Sequence, residues 1–535
     1  MTTPTMESRT AQLDPEVRKR GLLGMSRTMV TTWAVTAFVA VLAWMALGGL
    51  LGAVGGFAVL GLTWITTKQF AGGPSYAQRV LLWGRDRLRR RSGEHIYFSV
   101  ADRGDRTGQP SEDYNPDADP AWERPVPVGR AEPLDLTGTG FDGLFIVRHA
   151  NPGEGAYLSC VVQVQGLKGG LRSAPAYAAS WQSYGYVLAQ LAKPESFIRG
   201  LQQLHRSVAY DLTPHLEWYQ NQIVGDDGRL EKMVDSYWSN LEQIRPLAEE
   251  HRVWYVLKFP LDGQFLSEAA SRDQWGEHRR AEIGWASVVK DELERFEQLV
   301  RGAGMGEVTV LGEHRTCAVI RALMDPSYAL DDDRDAPDWE SCWQSYFGDQ
   351  DYVLINNRWY TRVAHVPPGG LTPTPLGPLW LHPLLVGVPA DEGGDDQPRS
   401  ATVRTICVRM DFTPDYAARE QATSDLTQDA AVQASEGKKG KIDDGSTEVM
   451  MSASVRRRRD LMPGSGIHGV TWSMWVAVTG RDPDDVRRAC MRVTSAASDS
   501  AITKLDWQTN FHDVAQVATL PLCRGMAGSA PARTA

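Results

Sequence analysis

The sequence predicts an N-terminal two-helix transmembrane hairpin followed by a cytoplasmic α+β body of two subdomains. Three observations carry that expectation: an uncharged stretch near the start, basic residues on both sides of it, and strand-like and helix-like apolar patterns that alternate through the rest of the chain. Residues 28–67 contain no Asp, Glu, Lys or Arg. As one helix they would reach roughly 60 Å, about twice the ~30 Å hydrocarbon thickness of a bilayer. Gly48, Gly49, Gly52, Gly55 and Gly56 lie in the middle. The expectation is therefore a helix from Thr28 to Leu47, a short turn, and a second helix from Leu50 to Thr67.

The flanks set the orientation. Arg18, Lys19, Arg20 and Arg27 precede the stretch, and Lys68, Arg79, Arg85, Arg87, Arg89, Arg90 and Arg91 follow it, with no basic residue in the turn. Basic residues are retained on the cytoplasmic side, so a multi-pass inner (plasma) membrane protein with both termini cytoplasmic is expected. A cleaved signal peptide fits poorly, because the apolar stretch is too long and a second apolar helix follows directly. Residues 76–91 place Val80, Leu81, Trp83 and Leu88 among arginines, the pattern of an interfacial helix against an anionic leaflet; the alternative is a solvated linker. Arg27, Lys68, Arg79, Arg85, Arg89, Arg90 and Arg91 are accordingly the candidate membrane-interface residues, and the lipid bilayer is the first expected partner.

The expected order is a cytoplasmic tail over 1–27, the hairpin over 28–67, a basic juxtamembrane helix over 68–93 and a linker over 94–133. A first α+β subdomain over 134–335, an acidic and Pro-rich connector over 336–400, and a second α+β subdomain with a helical hairpin over 401–535 complete it. Residues 101–133 are rich in Asp, Gly and Pro, hence the linker. Phe141 to His149 and Tyr157 to Gln165 read as strands around a turn at Asn151-Pro-Gly-Glu-Gly155, with Leu158, Cys160, Val162 and Val164 on one face. Two helices follow, the second with Leu230, Met233, Val234, Tyr237, Trp238, Leu241 and Ile244 on one stripe. Then come a buried strand from Arg252 to Phe259, a helix from Ala281 to Arg301, a strand from Val308 to Leu311 and a helix from Glu313 to Met324.

Asp331 to Asp335 reads as a solvated boundary rather than a metal cage. The segment Pro367 to Leu385 is too apolar for a free linker and is expected to pack along the first half. In Thr405 to Phe412, Ile406, Val408, Met410 and Phe412 alternate with Thr405, Cys407, Arg409 and Asp411. A helical segment from Pro414, broken at Glu436 to Gly445 and resuming through Arg459, reads as a projecting helical hairpin. After the strand Trp472 to Val478, Asp482 caps a helix with Pro483 at its first position and Val486, Cys490, Val493 and Ala497 inward.

At 42% hydrophobic and 23% charged residues, the composition is that of ordinary globular protein. The net charge of −10 sits mainly on the body, so direct nucleic-acid contact is not expected. Six cysteines without a Cys-x-x-Cys read as reduced thiols. Recognised chemistry is scarce. Gly138-Thr-Gly-Phe-Asp-Gly143 has dinucleotide-loop spacing but precedes a strand instead of following one. Gly166 to Ser173 has phosphate-loop composition without the spacing, and there is no His-Glu-x-x-His or Gly-x-Ser-x-Gly. Gly276-Glu-His-Arg279 and Gly312-Glu-His-Arg315 repeat a tetrapeptide that reads as surface residues. No catalytic residue, cofactor site or metal site is assigned. Arg456, Arg457, Arg458 and Arg459 are candidates for partner contact, against a solvated helix end.

The two-helix start, Trp254-Tyr-Val-Leu257, Arg321-Ala-Leu-Met-Asp-Pro326, Pro368-Gly-Gly-Leu371 with Trp380-Leu-His-Pro-Leu-Leu385, Arg404-Thr-Ile-Cys407 and Leu520-Pro-Leu-Cys-Arg-Gly525 together carry a resemblance. The chain resembles a PrgI-type membrane subunit fused to the N-terminal, non-motor region of the type IV secretion and conjugation ATPase, a combination found in conjugative elements of high-GC Gram-positive bacteria. The resemblance implies a membrane-anchored, non-enzymatic scaffold of a DNA-transfer apparatus, docking a separate ATPase and other inner-membrane subunits in an oligomeric assembly. A type VII secretion core subunit and a membrane-bound transferase-like enzyme are the alternatives.

Overall fold

The computed structural model describes residues 27–67, 76–104, 114–115, 118–119, 122–166, 173–210, 212–222, 231–244, 248–272, 281–331, 337–372, 376–377, 379–391, 401–439, 446–462, 465 and 467–526. The chain divides into two compact units, one over residues 16–94 and a body over 95–535.

The smaller unit holds α1 (Arg27–Leu47), α2 (Gly49–Thr67) and α3 (Tyr76–Ser92). The turn falls at Gly48 and Gly49, whose φ values of 62° and 52° are left-handed, a conformation glycine adopts without a Cβ penalty. A Cβ at Gly52 would stand 2.8 Å from the Trp44 carbonyl oxygen, so small residues let α1 and α2 approach closely. The helix boundaries follow the expectation; the spanning assignment does not. Among the described residues no helix is long and apolar enough to cross a membrane. α1 carries Thr28, Thr31, Thr32 and Thr36 among its 21 residues, and α2 holds Gly49, Gly52, Gly55, Gly56 and Gly61 among its 19. The transmembrane hairpin, the multi-pass inner-membrane placement and the cytoplasmic assignment of both termini are corrected accordingly.

Among the described residues the body is built on one 13-stranded sheet. β1 (Ile96–Tyr97) lies at one edge and β2 (Ala131–Pro133) at the other. The first half runs through β3 (Val147–His149), β4 (Tyr157–Val164), α4 (Ala174–Leu191), β5 (Gly200–Ala209), α5 (Thr213–Gln222), α6 (Glu231–Ile244), β6 (Glu249–Pro260), α7 (Gly263–Arg272), α8 (Ala281–Gly302), β7 (Val308–Val310) and α9 (Glu313–Met324). The second runs through β8 (Tyr346–Gly348), β9 (Val353–Ile355), β10 (Trp359–His365), α10 (His382–Leu385), β11 (Val403–Thr413), α11 (Asp415–Lys439), α12 (Ser446–Asp460), β12 (Gly469–Gly480), α13 (Pro483–Asp499), β13 (Asp506–Trp507) and α14 (His512–Gln516).

These halves are two copies of one topology. The strands β4, β5, β6 and β7 lie in the order β7-β4-β6-β5, and β10, β11, β12 and β13 in the order β13-β10-β12-β11. Each is the interleaved arrangement of a split βαβ unit. β3 and β9 occupy matching positions as well, each pairing the start of the strand that follows it. The copies join through equivalent strands, with β5 antiparallel to β11 from Ser207 opposite Arg404 to Gly200 opposite Asp411. The two expected subdomains are therefore two repeats within a single sheet. The expected linker is also partly structured, since Val128 and Ala131 are buried and β1 and β2 join the sheet.

Strand alternation divides the core. Leu158, Cys160, Val162, Tyr255, Leu257, Met410 and Phe412 pack beneath α4, α7 and α8. Ile406, Met474, Val476 and Val478 continue the same face beneath α13 and α10. The segment around Leu371 and Leu384 packs into this second-repeat cluster, not along the first half as expected. The opposite face, with Leu204, Trp254, Val256 and Cys407, is covered by α9, by the Trp339 and Trp343 segment and by the C-terminal run Val517, Leu520, Leu522 and Cys523. That run touches both repeats: in the first, Tyr157 donates to the Leu522 carbonyl at 2.8 Å, and Gln202 donates to the Leu520 carbonyl at 2.8 Å and accepts from Cys523 N–H at 2.7 Å; in the second, Trp475 donates to the Gly525 carbonyl at 2.6 Å.

Candidate docking surfaces

In both repeats the second and third strands of the unit are joined by a pair of helices where a tight turn would suffice. Because β5 and β11 are antiparallel, these helical arms leave the sheet at opposite ends of a ten-residue ladder strand, roughly 30 Å apart.

The first arm, α5 with α6, is closed by aromatic rings. Tyr219 stacks on Tyr237 at 4.5 Å between centroids, Trp238 meets both edge-on, and His215 bonds the Tyr237 hydroxyl. The sequence placed Met233 and Ile244 on one helical stripe; the arm leaves them 68% and 58% exposed, along with Trp218 at 57%. Acidic Glu217, Asp235 and Glu242 are exposed beside them. No contact role for these residues follows from the sequence; the apolar period marks only a helix, and two helices are too few to bury such a stripe.

The second arm matches the expected projecting hairpin, although α11 runs on to Lys439 through the start of the expected loop, and residues 440–445 lie outside the described ones. Its 25-residue helix reaches roughly 37 Å. The seam is small and polar: Ala418, Ala422 and Ala453 are buried with Asp425, Asp429 and Ser454. Ser454 bonds Asp429, and Arg457 donates to Asp425 at 3.1 Å. A buried carboxylate is tolerated only when so paired. Of the four predicted contact arginines, Arg457 is thus consumed inside the arm and Arg456 lies 4.0 Å from Asp460, while Arg458 and Arg459 are exposed.

The arginines predicted near a membrane differ in their pairing and exposure. Arg90 pairs with Asp86 at 3.1 Å and Arg89 is 7% exposed, 3.9 Å from Glu94. Burial and the neighbouring Arg89 lower the pKa of Arg85. Arg79 and Arg91 are exposed on α3 with Val80, Leu81 and Leu88. Arg27 opens α1, and Lys68 lies outside the described residues.

A polar constellation at the joint between repeats resembles a hydrolytic site in composition only. The Ser207 hydroxyl is 3.0 Å and the His205 Nε2 3.1 Å from His251 Nδ1, and the His251 Nε2 is 3.6 Å from Glu249. Glu249, however, is held by a bidentate pair of 2.8 Å bonds from Arg404, which also donates to the carbonyls of Thr402, Leu384 and Leu385. Ser207 is fully buried, so no substrate carbonyl can reach its oxygen. Burial, with His251 and Arg404 nearby, pushes His205 down to about 4. The constellation therefore fastens β5, β6 and β11 to the connector.

Other motifs are also spent on structure. Asp331 accepts from Arg252 and Arg315, and Glu313 accepts from the Trp339 N–H at 3.4 Å. The 273–280 and 167–172 segments lie outside the described residues, as do 332–336. Among the described residues no group of three or more His, Cys, Asp or Glu is placed to hold a metal ion. No family model matches the chain, and no curated protein matches it.

Proposed function

We propose that the protein is a non-catalytic assembly subunit of a type IV secretion-like conjugation apparatus that docks a separate ATPase. The sequence resemblance supplies the machine, and it is carried forward without the spanning anchor. The observation that carries the assembly role is the pair of helical arms. Each is stabilised within itself and leaves large side chains outward, Trp218, Met233 and Ile244 on one and Val455 and Met462 on the other. Exposed aromatic and apolar anchors of this kind dominate the energetics of protein contacts. Meanwhile the Glu249–His251 and Asp331 groups are taken up by internal pairing with Arg404, Arg252 and Arg315, which favours a scaffold over a reacting centre.

The test is affinity purification of the full-length protein from its native cells, with mass spectrometry of what remains bound. A conjugation-type ATPase and further secretion subunits are expected. Recovery of a type VII motor would reassign the machine, and recovery of the protein alone or with metabolic enzymes would count against a scaffold.

A further inference from the structure

The exposed stripes of α6 and α12 carry opposite charge. On α6, Asp235, Trp238 and Glu242 recur at i, i+3 and i+7 and so share one stripe. Asp235 and Glu242 are exposed, Trp238 is 36% exposed, and exposed Glu217 stands on the adjoining α5. None of the three carboxylates has an ion-pair partner among the described residues. On α12, Val455, Arg458 and Arg459 recur at i, i+3 and i+4, with Val455 49% and the following Met462 57% exposed. Arg456 and Arg457 are partly neutralised by Asp460 and Asp425, so Arg458 and Arg459 set the sign of that face. An acidic stripe around a tryptophan thus leaves one end of the sheet, and a basic stripe around a valine and a methionine leaves the other.

We propose that copies of this protein associate head to tail, with the α6 stripe of one copy against the α12 stripe of the next. The proposal rests on the assembly reading above and deepens it by naming a second copy as the partner. Unlike surfaces make a heterologous contact, which closes into a ring or extends as a filament. The apolar side chains supply the anchor, and the charges set orientation and association rate. One exposed ion pair contributes little, so the contact depends on the carboxylates and guanidinium groups acting together. An acidic polymer such as DNA on Arg458 and Arg459 is the competing occupant.

The experiment is sedimentation velocity of the full-length protein over a concentration series, with two charge-reversed variants, Asp235→Arg/Glu242→Arg and Arg458→Glu/Arg459→Glu. Exposed apolar residues on α1 and α3 can also drive association, so the readout is the difference among variants. Wild type is expected to grow with concentration, and each variant alone to self-associate about tenfold more weakly or worse. Mixing the two variants is expected to restore the larger species, because every contact then joins opposite charges. Circular dichroism confirms that each variant is folded. Should one fail to fold, wild-type association at rising salt is the second readout, expected to weaken as charges are screened. Wild type that stays monomeric, variants that associate as wild type does, or a mixture that restores nothing would overturn the proposal. So would loss of DNA binding, without loss of self-association, in Arg458→Glu/Arg459→Glu. The ATPase pull-down is scored separately, so a monomeric protein that still recovers the motor leaves the assembly reading standing.

Discussion

The two repeats share their strand order and differ in what is attached to it. In the first, the crossover between its opening strands is α4, 18 residues long; in the second it is a Pro-rich segment with the four-residue α10. The arms differ further: α5 with α6 is short, aromatic and acidic, while α11 with α12 is long, small-residue and basic at its base. The comparison teaches that the sheet fixes where the arms stand, and that sequence between the strands is free to diverge because the ladder does not depend on it.

The largest effect should come from separating the repeats at their joint. Arg404 is fully buried, and Glu249, its partner across β6 and β11, has a side chain only 10% exposed. Arg404→Ala should cost about 3–5 kcal/mol by stranding that carboxylate, measured by denaturant unfolding. A loss below about 1 kcal/mol would mean that the repeats do not share this clamp.

Next comes the C-terminal run, whose attachments cross from one repeat to the other. Gln202→Ala leaves the Cys523 N–H without its acceptor and the Ala518 and Leu520 carbonyls without their donor. The expected loss is about 2 kcal/mol, with amide exchange rising at Cys523 before it rises in α8.

The pH dependence should draw on both repeats. Burial pushes His205 of the first down to about 4 and His512 of the second down to about 3, against an unfolded value near 6.5. Between those limits the unfolded chain binds more protons. Stability is therefore complete above about pH 6.5 and falls as pH drops towards 4 and then 3, by up to about 1.4 kcal/mol per pH unit for each histidine. His205→Gln and His512→Gln should each flatten part of that slope in acid titration of unfolding, whatever their offset at neutral pH.

The smallest effect should be at a helix end. Asp482 caps α13 by accepting from Asp484 and Asp485 N–H at 2.9 and 2.8 Å, whereas α9 begins at Gly312 with no side-chain cap. Asp482→Ala should cost about 1 kcal/mol, read from thermal unfolding.

The elements with strong local patterns were legible in the chain. α9 and the Asp482 cap fall where expected, β6, β11 and β12 include the expected strands, and β4 covers the expected one but for Gln165. What was not legible is long-range. Nothing local in Val403–Thr413 says that it pairs with Gly200–Ala209, and without that pairing the single sheet reads as two subdomains. The C-terminal Leu520-Pro-Leu-Cys-Arg-Gly525 stood out as a pattern, but its path under both repeats depends on Tyr157, Gln202 and Trp475, far away in sequence. In residues 28–67 the helix bounds were legible, whereas the spanning assignment was overturned. Of the proposed contact surfaces, Arg458 and Arg459 were named from the sequence, whereas Asp235 and Glu242 lay outside the apolar stripe on the same helix.

The most direct measurement replaces both arms, residues 211–247 and 415–466, with short Gly-rich turns and follows unfolding and partner recovery together. The account predicts a body that retains its strand signal and cooperative unfolding, yet neither self-associates nor recovers the ATPase. An armless body that still assembles and still binds the motor would contradict it.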